Sequence, residues 1–163
     1  MADIFVSYAK TDRSLASKLV AVLEAEGWSV WWDTSLAVGD DFRNEIMTEL
    51  GRARAVIVIW TDASIKSDWV RSEGGRAQAD RKLIPVKLAH LNYKDLPPPF
   101  DVLHTENLGE ADKVRAAVVA QTGSLSRNSF DFASMDAIEE AGRQDWSQPL
   151  RQRMRTKATC SEQ

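Results

Sequence analysis

Cysteine is nearly absent from this chain: among 163 residues the single one is Cys160. A lone thiol excludes an internal disulfide and makes a reducing compartment the natural setting, so a cytoplasmic protein is expected. Histidine is almost as scarce. His90 and His104 have no partners at metal-ligand spacing, so no metal site follows from them. No apolar run approaches the roughly 18 residues of a membrane span. The N-terminus enters an apolar strand directly, and no signal peptide is expected. Basic residues are not in excess: 21 Lys and Arg against 24 Asp and Glu give a net charge of -3. That balance speaks against a general nucleic-acid binder.

What remains is the composition of an ordinary soluble protein, 44% hydrophobic and 28% charged. A domain of this size buries a sufficient core without metal or disulfide staples. Residues 3–8 (Asp-Ile-Phe-Val-Ser-Tyr) read as a buried strand. Thr11 or Asp12 can cap the helix that follows, whose stripe is Leu15, Leu19, Val22 and Leu23. Gly27 stops it, and Trp28 to Trp32 make a second strand. Asp33 to Asp41 read as a loop before a helix carrying Phe42, Ile46 and Leu50. Ala55 to Trp60 are β-branched and uncharged, as the centre of a sheet requires. A third helix runs to near Lys82, and Leu83 to Leu88 form a fourth strand. Pro97, Pro98 and Pro99 punctuate a loop before a short fifth strand at Val102 to Thr105 and a last helix around Glu110 to Gln121.

Strand and helix alternate about five times, which implies an α/β fold: a five-stranded parallel sheet with helices on both faces. Ligands of such folds bind at the carboxyl ends of the strands. Residues 1–121 make the domain. Residues 122–163 read as linker and short tail, with a helix from Ala133 to Trp146 and a solvated basic cluster at Arg151, Arg153, Arg155 and Lys157.

The most telling run is Ser67-Asp-Trp-Val-Arg-Ser-Glu73, just after the central strand. Trp69 and Glu73 lie four apart and therefore on one helical face. An indole and a carboxylate so placed can grip a nucleotide by stacking and hydrogen bonding. The bland readings are a core Trp69 and an exposed Glu73 paired with Arg76. Gly74 and Gly75 each cost a helix about 1 kcal/mol relative to alanine, which suggests a close approach by backbone or ligand.

These residues carry a family resemblance. Ile-Phe-Val-Ser-Tyr-Ala at the start, Trp-Trp-Asp followed by Leu36, Gly39, Asp40 and Phe42, and the W-x-x-x-E run resemble a bacterial TIR (Toll/interleukin-1 receptor) domain in order and spacing. The Phe-Trp pair of receptor-type members is absent from residues 110–121. The resemblance implies a flavodoxin-like TIR fold. It also implies an enzyme that cleaves NAD to nicotinamide and ADP-ribose or a cyclic isomer, with NAD as substrate and no cofactor. It makes Glu73 the catalytic residue and places Trp69, Ser67, Tyr8, Ala9, Lys10, Asp33 and Phe42 at the substrate. Leu36, Val38, Gly39 and Asp40 fall in the BB loop, through which TIR domains self-associate or meet other TIR proteins.

One carboxylate can suffice for this chemistry. Most glycosidases need a second to protonate the leaving oxygen. The nicotinamide nitrogen of NAD is already cationic, and the base departs neutral. Two other functions compete. One is a non-enzymatic TIR interaction module. The other is a phosphoacceptor receiver domain with Asp62 after the third strand; it lacks the paired acids after the first strand, where Tyr8-Ala-Lys-Thr-Asp12 stands, and its only strand lysine, Lys87, is on the fourth.

Overall fold

A computed structural model describes residues 2–32 and 40–123, the latter without the side chains of 40–42. Five strands, β1 Ile4–Ser7, β2 Val30–Trp32, β3 Ala55–Trp60, β4 Leu83–Lys87 and β5 Glu106–Asn107, form one parallel sheet of order β2-β1-β3-β4-β5. Among the described residues four α-helices accompany it: α1 Arg13–Ala25, α2 Asp40–Arg52, α3 Asp68–Ala79 and α4 Ala111–Thr122. The chain runs outward from β1 in both directions, so the topological switch lies between β1 and β3.

Strand alternation sorts the core into two layers. Ala55, Ile57 and Ile59 of β3, with Ile4 and Val6 of β1, pack against α1 and α4 through Leu15, Leu19, Leu23, Val114 and Val118. Val56, Val58 and Trp60, with Phe5, pack against α2 and α3 through Ile46, Leu50, Val70 and Ala77. Every residue of β3 is buried, as a strand covered on both faces must be.

Several boundaries differ from the sequence reading. The second strand is shorter, and Trp28 is buried ahead of it. Asp40 and Asp41 belong to α2, not to a loop. Asp12 stands at the N-cap of α1, but its side chain caps nothing there; it accepts a hydrogen bond from Thr61 Oγ1 at 2.6 Å. Residues 100–102 form a 3-10 turn, anchored by the buried Phe100, where the fifth strand was expected to begin. The strand itself is Glu106–Asn107, paired with Val86 and Lys87. α3 ends at Ala79, and Lys82 is buried, donating to the carbonyls of Leu50 at 2.8 Å and Gly51 at 3.0 Å. The two ammonium bonds cap the C-terminal end of α2, where carbonyls have no helical partner.

The expected helix 133–146, the basic cluster at Arg151, Arg153, Arg155 and Lys157, and Cys160 lie outside the described residues. Among the described residues no helix is long and apolar enough to cross a membrane.

Candidate active site

The site begins with the burial pattern of α3. Val70, Glu73, Gly74 and Ala77 form its buried stripe, spaced i, i+3, i+4 and i+7. A carboxylate thus occupies a core position, and Glu73 is only 3% exposed. Burying a charge is costly unless it is paired or hydrogen-bonded. The hydroxyl of Ser7, itself buried at the last position of β1, donates to Glu73 Oε2.

A small cleft of about 60 Å³ opens beside this pair, at the carboxyl end of β1. Its walls are Phe5, Val6, Ser7, Tyr8, Lys10, Trp31, Ile46, Trp69 and Glu73. Trp31 stacks on Phe5, with centroids 4.9 Å apart and planes 14° from parallel. Trp69 is half-buried, and the guanidinium of Arg43 on α2 lies 5.3 Å from its ring centroid. That is cation–π distance.

The fold therefore brings together four of the residues singled out from sequence: Tyr8, Lys10, Trp69 and Glu73. Ser67 is not among the cleft walls. It is the N-cap of α3, its hydroxyl accepting from the Val70 amide at 3.3 Å. Ala9 is buried and also off the wall; its carbonyl accepts from the Asp12 amide at 2.8 Å. Asp33, Leu36, Val38 and Gly39 lie outside the described residues, as do the side chains of Asp40 and Phe42. Sequence reasoning passed over Ser7, Trp31, Ile46 and Arg43. For Ser7 the signal was available: a lone hydroxyl closing an apolar strand, two residues after Phe5 and so on its face.

The glycines behind Glu73 separate. A Cβ on Gly74 would sit 3.1 Å from Phe100 Cζ and 3.2 Å from its Cε1, whereas one on Gly75 meets nothing within 4 Å. Gly74 admits a packed side-chain ring rather than the backbone or ligand expected there, and Gly75 faces open space.

A larger cavity, about 320 Å³, lies on the α1 side of the same strand ends, among Thr11, Asp12, Lys18, Thr61, Asp62 and His90. None of the described residues assigned to the substrate lines it. Asp12 binds Thr61, and Asp62 meets His90 Nε2 at 2.8 Å. Burial pushes the Asp12 carboxyl above its ordinary value of 3.8, the Thr61 bond opposes this, and the nearby Asp62 charge adds to it. His104 meets Glu106 at 2.7 Å. Among the described residues no group of three or more His, Cys, Asp or Glu side chains could hold a metal ion.

The sequence pattern of the family described as "TIR domain" matches residues 4–121. Over 73 residues the chain is 37% identical to the NAD(+) hydrolase PdTIR of Paracoccus denitrificans (strain Pd 1222), covering 44% of this chain and 24% of that protein. It is 33% identical over 73 residues to the 2' cyclic ADP-D-ribose synthase BtTIR of Bacteroides thetaiotaomicron, covering 44% and 25%. It is 29% identical over 100 residues to the probable 2' cyclic ADP-D-ribose synthase TcpO of Methanobrevibacter olleyae, covering 58% and 29%. The chain thus spans about a quarter of the length of the curated relatives it matches. Among solved structures, the TIR domain of the Toll-related receptor TRR-2 of Hydra magnipapillata superposes with a TM-score of 0.57 at 18% identity, over 69% of this chain and 88% of that one. A TIR-STING receptor from C. gigas gives 0.58 at 21% identity, over 86% and 39%. At those identities the likeness is one of fold.

Proposed function

Because the chain belongs to the TIR domain family, we propose that it is an NAD glycohydrolase that releases nicotinamide and leaves ADP-ribose or a cyclic isomer. The observation that carries this reading is the buried carboxylate of Glu73 in one cleft with Trp69, at the carboxyl end of β1. The names of the relatives, an NAD(+) hydrolase and 2' cyclic ADP-D-ribose synthases, support it.

In the proposed reaction the bond between ribose C1′ and the nicotinamide nitrogen breaks. Its electron pair returns to the ring, so the base leaves neutral and needs no acid. The ribose becomes an oxocarbenium cation. Glu73, fixed in a poorly solvated site, stabilises that charge by electrostatic preorganisation. Water then attacks C1′ and loses a proton to give ADP-ribose; attack by a hydroxyl of the same molecule gives the cyclic product instead. Trp69 offers an aromatic face to a base, and Lys10 a cation at the cleft mouth.

About 60 Å³ is far below the roughly 300 Å³ or more typical of a small-molecule site, so the described walls embrace only part of a dinucleotide. Activity as an assembly follows from this reading, through self-association or contact with other TIR proteins. The BB-loop residues Leu36, Val38, Gly39 and Asp40 are the proposed contacts.

The test is chromatographic. Purified protein, dilute and clustered on a surface, is incubated with NAD, and nicotinamide, ADP-ribose and cyclic products are resolved. Release that rises per molecule with clustering and stops in Glu73→Gln supports the reading. A clustered wild type that releases no nicotinamide sinks it and leaves an interaction module.

A further inference from the structure

We propose that Ser7 is a positioning residue for Glu73, holding its carboxylate in the orientation and charge state that cleavage at the ribose needs. The inference rests on the NAD reading of the site.

The placement of Ser7 follows from strand register. Ser7 is the last residue of β1, with its Cα opposite Val58 of β3. Alternation puts Ile4 and Val6 against α1 and α4, and Phe5 on the side of α2 and α3. Ser7 shares the side of Phe5 and therefore meets α3, where its hydroxyl donates to Glu73 Oε2 across 66 residues of sequence. A serine has one proton to donate, and it is given to this oxygen.

Stability alone does not account for the pair. Apolar residues of similar shape at two buried, mutually bonded positions are often as stable or more so. The neighbours of Ser7 on this face, Phe5 and Val58, are apolar. What the hydroxyl supplies is orientation. It holds one carboxylate oxygen, and a hydrogen bond to the charged form favours that form. Both properties are what a group stabilising a cation at C1′ requires. A misplacement of about 1 Å in such a site can cost about 10² in rate.

The experiment has two arms, run on wild type, Ser7→Ala, Ser7→Thr and Glu73→Gln. In the first, nicotinamide release is followed against NAD concentration. Ser7→Ala is expected to lower kcat by about 10- to 100-fold with KM within about twofold, and Ser7→Thr, which keeps the hydroxyl, to restore most of it. In the second, the Glu73 carboxyl carbon is titrated by NMR, assigned by its loss in Glu73→Gln. Its midpoint is expected to move to higher pH in Ser7→Ala. Tyr8 and Lys10, the other titratable groups of the cleft, are present in both proteins, so the movement reports the hydroxyl.

An unmoved midpoint overturns the proposal, as does a Ser7→Ala protein with unchanged kcat or one impaired only in KM. A wild type that releases no nicotinamide while the midpoint still moves overturns the NAD reading and leaves Ser7 as a positioner of Glu73. Should Ser7→Ala fail to fold, Ser7→Cys, with a weaker donor of similar size, carries both comparisons.

Discussion

Trp69 and Glu73 stand one helical turn apart on α3 and both line the cleft at the end of β1, the ring half-buried and the carboxylate 3% exposed. The pair divides the expected kinetic effects. Glu73→Gln keeps shape and a hydrogen-bonding partner for Ser7 but removes the charge. Nicotinamide release should fall by about 10² or more through kcat, while the thermal midpoint stays near that of wild type. Retained turnover would remove Glu73 from the chemistry.

Trp69 should act on binding instead. Stacking of a base on an aromatic ring contributes about 1 to 3 kcal/mol, so Trp69→Leu should raise the KM for NAD by about 5- to 150-fold. Trp69→Phe, which keeps a π face, should fall between. Equal KM values across the three proteins would assign Trp69 to packing alone, with Arg43 above it.

The two glycines after Glu73 make opposite predictions for stability. Alanine gains a helix about 1 kcal/mol over glycine. At Gly74 the added Cβ would press on the ring of Phe100, which is 1% exposed and held against Trp60 at 4.9 Å. Overpacking of that kind costs about 1–3 kcal/mol, so Gly74→Ala should melt lower. Gly75→Ala meets open space and should melt higher by about 0.5–1 kcal/mol of stability. Calorimetry of both variants decides it; a Gly74→Ala protein that also melts higher would mean that Phe100 yields.

Asp12 gives a pH dependence. Burial raises its folded carboxyl value above the ordinary 3.8. Below 3.8 folded and unfolded chains both hold the proton, and the stability contribution is fully present. As pH rises through the raised folded value, the folded chain must ionise a half-buried group, and that stability is lost. Asp12→Asn, which can still accept from Thr61, should therefore melt higher than wild type at neutral pH, with the gap closing toward acid. A gap that is constant with pH would refute the assignment.

Legibility in the sequence tracked how local each cause was. The strand at Ala55–Trp60 was readable to the residue, because an uncharged β-branched run has one common use. The fifth strand was misplaced by four residues. Val102 to Thr105 look extended in isolation, yet Phe100 draws the chain into a turn, and only pairing with Val86 and Lys87 makes Glu106–Asn107 a strand. In the candidate site, Trp69 and Glu73 were visible because one helix carries both. Ser67 carried the right chemistry for a cap and took that role. Ser7 was missed because its partner lies 66 residues away, and Arg43 because its ring lies on another helix.

By itself the sequence determined the alternation of elements, the parallel sheet, and the single helical face that carries Trp69 and Glu73, since periodicity is a property of neighbouring residues. Only the tertiary structure decided that Glu73 is buried, that the end of β1 supplies its hydroxyl, and that Phe100 rather than a ligand fills the space at Gly74. Those facts depend on which elements the sheet order brings together, and contacts between distant segments have no period to read.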